Sequence, residues 1–302
     1  MKSNNTYLNI LASYAYLGKT KSFCDILFGA SKEGIINVMI DSGAFTLFNS
    51  KNNKMDWLTL DNYCKFLDTY AQYSEKYVML DVINNHSQSK KNYEIMLQRG
   101  LNPMFVFTTY DNDYTYLKEA VNNNIHLCVA GGVTSKRNWM HKRYQDVFRQ
   151  TQAKIHGLGF VKFPDIYQVP LHSVDSSSWV QGSQAFGILY YFDNGIKGVA
   201  YSDILKRKVK LPQQIMNLLD KYKVTPKEFS NLDNHRGRYS IASMLSIVAN
   251  IEYQKYSKER DRNLFLACAN SINIEDIIYV NDKMINNNLT YNGFKNKKIH
   301  SS

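Results

Sequence analysis

Three aspartates stand at the ends of short apolar runs: Asp41 after Val38-Met39-Ile40, Asp81 after Val78-Met79-Leu80, and Asp175 after His172-Ser173-Val174. Each run reads as a buried strand, so each carboxylate is expected where a strand stops and a loop begins. Glycine-bearing turns fall at corresponding places: Ser42-Gly43 directly after Asp41, Gly131-Gly132 after His126-Leu127-Cys128-Val129-Ala130, and Gly157 and Gly159 after Lys154-Ile155-His156. Taken singly, an aspartate after a strand is a helix cap or a turn residue, and a Gly-Gly pair is a tight turn. His156 and His172 read singly as structural or loop histidines. Together they say more, because independent caps have no reason to coincide with glycines that let backbone N–H groups approach a ligand. Two carboxylates facing one another across a pocket suit glycosyl chemistry. One attacks an anomeric carbon as a base departs, and the other manages protons. No cofactor or metal is expected for such a reaction.

The elements that must position these residues alternate. Strands are expected over 7–13, 38–40, 77–83, 104–108, 126–130, 154–156 and 172–174, and helices over 22–31, 60–74, 91–99, 114–122 and 137–153. The helix over 60–74 carries Tyr63, Phe66, Leu67 and Tyr70 at i, i+3, i+4 and i+7, the spacing of one buried face. Strand and helix in alternation imply parallel strands joined by crossover helices. The number of units favours an α/β (β/α)8 TIM-like barrel, with a doubly wound open sheet as the alternative. In a barrel the active site lies at the C-terminal ends of the strands, which is where the aspartates and glycines fall. The rhythm changes past Trp179: a hairpin is expected around Asn194-Gly195, then a basic run over 206–210. Beyond it a helical C-terminal extension is expected, with a capping box at Thr225-Pro226-Lys227-Glu228 and apolar helices over 241–253 and 263–269. The expected division is a catalytic barrel over 1–205 and a basic, mainly helical region over 206–302 packed on it.

The chain has 302 residues, 44% of them apolar and 21% charged, which places it among folded proteins with a full core. Its formal charge of +11 permits a polyanionic partner and equally permits a solvated basic surface. Arg236, Arg238, Lys206 and Arg207 are the candidate phosphate contacts. Cys24, Cys64, Cys128 and Cys268 form no CxxC pair, so neither a zinc site nor a disulfide framework is suggested, and free thiols fit a reducing cytoplasm. No run reaches the roughly 18 to 20 apolar residues of a membrane span, and no membrane partner is expected.

The motifs Ile40-Asp41-Ser42-Gly43-Ala44-Phe45, Leu80-Asp81-Val82, Ala130-Gly131-Gly132-Val133, the HGLGF run from His156 and the VDSSSW run from Val174 together resemble the tRNA-guanine transglycosylase superfamily. The last is closest to the nucleophile motif of its archaeal branch. The short chain is closest to the phage and bacterial DNA 7-deazaguanine transglycosylases. The resemblance implies a barrel enzyme that exchanges guanine in a nucleic acid for a 7-deazaguanine, such as the 7-cyano form. It implies Asp175 as the nucleophile on C1′ and Asp41 as the general acid/base. Asp81, Gly131 and Gly132 would hold the base, with Ser42, Gly43 and Phe45 lining the pocket and His156 and Gly157 at its edge. Phe45, Tyr110 or Trp179 would stack on a flipped base.

The implied partners are DNA or tRNA and a free 7-deazaguanine base, with a homodimer left open. The zinc site of three cysteines and a histidine that tRNA enzymes carry after the nucleophile is missing, since only Cys268 lies in that region, and this favours DNA. The alternatives are the same exchange on tRNA, a hydrolytic N-glycosylase, and a non-catalytic nucleic-acid-binding barrel.

Overall fold

A computed structural model describes residues 8–50, 55–108, 111–130, 137–160 and 165–296. Its strands in chain order are β1 (Asn9–Ser13), β2 (Asn37–Asp41), β3 (Lys76–Tyr77), β4 (Phe105–Thr108), β5 (His126–Ala130), β6 (Lys154–Leu158), β7 (Leu171–Ser176), β8 (Ile188–Phe192), β9 (Ile196–Ala200) and β10 (Asn263–Cys268). Eight of them form one parallel sheet in the order β3-β2-β1-β10-β7-β6-β5-β4. A parallel bridge between Val78, just beyond β3, and Met104, just before β4, joins its two ends. The Met104 N–H donates to Tyr77 O at 2.8 Å and the Met79 N–H to Met104 O at 3.0 Å. The sheet is thus curled into a TIM-like (β/α)8 barrel, and the doubly wound alternative is set aside.

The strands are apolar because they are covered on both faces. Val38, Met39 and Ile40 of β2 are buried, as are Leu127, Cys128 and Val129 of β5. Helix Leu60–Tyr70 starts on Thr59, whose hydroxyl accepts the Asn62 N–H, and buries Tyr63 and Leu67. Phe66 and Tyr70 meet Phe28 of helix Lys21–Lys32, with Phe28 stacked on Tyr70 at 4.6 Å. Tyr63 then donates to Val78 O at 2.7 Å, which anchors the closing segment of the barrel.

The main departure from expectation is β10. The run Asn-Leu-Phe-Leu-Ala-Cys-Ala reads as an apolar helix over 263–269 but is the barrel's remaining strand, between β7 and β1. A short apolar run carries no period that separates strand from helix, and six residues is strand length. The barrel therefore does not end at 205. Residues between β7 and β10 are an excursion: helix Ser178–Phe186, the β8–β9 hairpin, helices Gln213–Lys221 and Pro226–Ser230, and helix Ile241–Lys258. Asn194, at φ +51°, turns the hairpin, and Thr225 and Glu228 form the expected capping box.

Helix Ile241–Lys258 fastens the excursion to the barrel. Ser246 donates to Trp179 O at 2.7 Å, and the buried Gln254 donates to Asn9 O at 2.7 Å and Leu264 O at 3.0 Å. A buried amide left without such partners would cost about 1–3 kcal/mol. After β10, helix Ser271–Tyr279 packs against Lys21–Lys32 and completes the helical ring, and Val280–Asn286 and Tyr291–Asn296 form the helical C-terminal extension. Among the described residues no helix is long and apolar enough to cross a membrane.

Candidate active site

Asp175 sits near the C-terminal end of β7, beside Phe265 of β10. Its Oδ1 accepts the Gly159 N–H at 2.7 Å and lies 3.3 Å from His156 Nε2, an electrostatic contact without hydrogen-bond alignment. The other histidine nitrogen, Nδ1, is 2.8 Å from Ser173 Oγ, two residues before Asp175 on the same face of β7. The β6–β7 register shifts at Ile155/His156, an irregularity of the kind that re-aims a side chain. His156, expected at the edge of the substrate pocket, is buried, with its Nε2 against the Asp175 carboxylate. Oδ2 of Asp175 has no partner among the described residues.

Asp41 ends β2, level with Ser13 of β1. Its Oδ2 accepts the Gly43 N–H at 3.0 Å. Burial pushes its pKa above the usual carboxylate range. Hydrogen bonds from Ser13 and Gly43 act against that, the charge of Asp175 adds to it, and His156 opposes it. Asp41 and Asp175 are thus within electrostatic reach of one another. Gly43 holds the turn at φ +84°, and a Cβ there would meet Ala15 Cβ at 2.8 Å and Ala15 N at 2.9 Å. Ser42 is buried, its hydroxyl turned back on the Ala44 N–H at 3.4 Å, so it supports the turn. Phe45, 62% exposed, and Phe48 stand out from helix Ala44–Asn49.

Asp81 lines a cavity of about 340 Å³ at the ends of β3, β4 and β5, together with Val82, Asn84, His86, Thr108 and Asp111. Burial first, and the neighbouring charges of Asp41 and Asp111 after it, push the Asp81 pKa up to about 7. The loop is held from behind. Ser89 Oγ accepts the Val82 N–H at 2.8 Å, Asn92 donates to Leu80 O at 2.8 Å, and Asn84 adopts φ +62°. Left-handed backbone at a residue other than glycine concentrates at functional sites.

Cys128, buried on β5, gives an internal check on convergence. Burial and then the charges of Asp41, Asp81 and Asp175 all push its thiol well above its ordinary value. One buried side chain thus feels the charges of all three carboxylates.

Other expected residues fall elsewhere. A Cβ at Gly157 would meet the Tyr144 hydroxyl at 3.1 Å and Leu171 at 3.2 Å, so this glycine admits a helix residue rather than substrate. Trp179 is in the core, donating to Ala267 O at 3.2 Å, and is not a stacking platform. Arg238 is held by Asp276, Nε to Oδ2 at 2.7 Å and a second nitrogen to Oδ1 at 2.9 Å, which removes it as a free phosphate contact. Lys206, Arg207 and Arg236 are exposed on the excursion, outside the strand-end cavity. Gly131, Gly132 and Tyr110 lie outside the described residues.

Two residues of the cavity wall went unread in the sequence: His86 and Asp111. Asp111 lies three residues past the end of β4 rather than directly at the close of an apolar run, so the strand-end pattern did not single it out.

No protein family model matches the chain, and no curated protein matches it either. The zinc site implied by the superfamily's tRNA enzymes does not fit this chain: past Asp175 only Cys268 remains, and it is buried on β10.

Proposed function

We propose that this barrel is a DNA-guanine transglycosylase, exchanging guanine for a 7-deazaguanine through a covalent aspartyl-glycosyl intermediate. The observation that carries the reading is that Asp41 and Asp175, at the C-terminal ends of their strands, lie within electrostatic reach of one another. Asp175 is held by the Gly159 N–H, its other oxygen without a partner among the described residues, and Asp41 is held toward its protonated form by burial and by Asp175 itself. An oriented carboxylate beside a carboxylic acid is the combination that glycosyl transfer needs.

In this mechanism Asp175 Oδ2 attacks C1′ of the target nucleotide as the C1′–N9 bond breaks, and the Asp41 proton passes to the departing base. Guanine leaves, and the sugar stays bonded to Asp175. A 7-deazaguanine then enters the cavity against Asp81. Asp41 takes the proton from its ring nitrogen, which attacks C1′ and frees Asp175. Phe45 and Phe48, exposed beside the Asp41 turn, offer apolar faces to a base drawn from its stack. The +11 charge favours a polyanionic substrate, and the missing cysteine set separates the chain from tRNA-modifying relatives of the superfamily it resembles.

The test is exchange of radiolabelled guanine into duplex DNA and into unmodified tRNA, each with the wild-type chain and Asp175→Ala. Label in DNA that is lost in the variant supports the reading. Label in tRNA alone transfers it to tRNA, abasic sites without label point to a hydrolase, and no reaction with either nucleic acid refutes it.

A further inference from the structure

His156 lies beside Asp175 with a neighbour at each ring nitrogen. It is buried on β6, directly opposite the buried Ser173 of β7, and packs against the ring of Phe265 on β10 at a centroid distance of 6.0 Å. Nδ1 is 2.8 Å from Ser173 Oγ, and Nε2 is 3.3 Å from Asp175 Oδ1. The ring can hold its protons in three ways. In the neutral Nε2–H form the Ser173 hydroxyl donates to Nδ1, and in the doubly protonated form that hydroxyl accepts from Nδ1–H. Both set an N–H toward Asp175. The neutral Nδ1–H form sets the Nε2 lone pair against a carboxylate oxygen, which is repulsive. A proton on Nε2 therefore follows from the two neighbours, whichever charge the ring carries. Asp175 Oδ1 then faces two donors, this one and the Gly159 N–H at 2.7 Å, while Oδ2 faces none among the described residues.

We propose that His156, its ring held by Ser173, is a positioning residue that makes Asp175 a good leaving group in the second half of base exchange. The assignment rests on the base-exchange reading for the reaction itself. When the incoming base attacks C1′, the C1′–Oδ2 bond breaks and its electron pair returns to the carboxylate, which shares the charge with Oδ1. Donors at Oδ1 gain strength as that charge returns, so they favour release over the covalent ester. In the first half the same donors stabilise the charged carboxylate and give the attack no help. One oxygen thus makes and breaks the bond, and the other keeps the ester from persisting. The 3.3 Å contact is loose in the free site, as hydrogen bonds of a free active site commonly are before substrate aligns them.

The test is trapping of the covalent protein–nucleic acid adduct by denaturation, with whichever nucleic acid accepts labelled guanine and at a fixed concentration of free guanine. His156→Asn, whose amide reaches only the Nδ1 position, is expected to raise the ratio of adduct to free protein at least about tenfold, one hydrogen bond to a charged group being worth about that factor. Release of the adduct by added guanine should slow by a similar factor, while its formation in a single turnover should not slow. His156→Gln, whose amide reaches the Nε2 position, is expected to return both toward the wild type. Formation and release slowed alike in His156→Asn would mark a merely structural role and overturn the assignment. An unchanged ratio overturns it too and leaves base exchange standing. If both variants unfold, NMR of the ring nitrogens in the wild-type chain decides in their place: a proton on His156 Nε2 supports the assignment, and a bare Nε2 overturns it. Neither adduct nor exchange in the wild type overturns the base-exchange reading, and this assignment with it.

Discussion

The two ends of the barrel treat charge in opposite ways. At the C-terminal ends of the strands, burial and crowding of like charges raise Asp41 and push Asp81 up to about 7. At the N-terminal ends, His126 and His172 lie with ring centroids 5.5 Å apart, and burial pushes each down to about 4. Lys76 and Lys154 add to this at His126, and Lys154, Arg262 and Lys258 at His172. Both ends hold titratable groups toward their neutral forms, yet among the described residues it is the upper end that combines them with a 340 Å³ cavity and a carboxylate held by a backbone N–H. A perturbed ionisation is a mark of burial first, and it points to chemistry only where a ligand can enter.

The comparison breaks if mutations at the floor harm the reaction as much as mutations at the mouth. Asp175→Ala is expected to lower base exchange by at least about a thousandfold with the fold retained, since the covalent step is lost. His172→Asn is expected to leave exchange within about twofold. Labelled-guanine incorporation and circular dichroism on both proteins check this.

A smaller loss separates Asp41 from Asp175. Asp41→Asn retains the nucleophile but removes the proton carrier, and is expected to cost about 10²–10³ in rate. Single-turnover kinetics should show the glycosyl-enzyme forming slowly in this variant rather than not at all.

The ends also carry opposite pH linkage. Asp81 has its folded pKa raised, so its contribution favours the fold at low pH and is lost as pH rises from about 4 to about 7. His126 and His172 have theirs lowered, so their contribution is present above about 6.5 and is lost as pH falls toward 4. The two slopes oppose one another in the same window. Asp81→Asn is expected to stabilise the protein by about 1–3 kcal/mol at pH 8 and to leave the histidine slope exposed. His126→Asn is expected to flatten the decline below pH 6.5. Thermal melts from pH 4 to pH 8 check both, and a profile unchanged by either variant would refute the assignment of these groups to the two ends.

An effect of comparable size concerns the turn beneath Asp41. Gly43→Ala adds strain at φ +84° and a Cβ 2.8 Å from Ala15 Cβ, and is expected to cost about 1–3 kcal/mol of stability. Denaturant melts give the value. Equal stability would mean that the turn relaxes freely and does not fix Asp41.

The amino-acid sequence by itself determined the alternation of strands and helices and the placing of Asp41, Asp81 and Asp175 after apolar runs, and it favoured a barrel over an open sheet, a choice that the bridge between Val78 and Met104 closed. Those features follow from local periodicity and from a polar residue closing an apolar run, both of which are written along the chain. What the tertiary structure decided is longer in range. The run from Asn263 became a strand because the gap between β7 and β1 needed one, and a six-residue apolar segment has no period to say so beforehand. Trp179 went to the core and Arg238 to Asp276 because partners distant in sequence claimed them, Ala267 and Asp276 respectively. His156 moved from pocket wall to support, and His86 and Asp111 came together across 25 residues, because side-chain contacts between elements depend on register and packing, which single-sequence patterns do not encode.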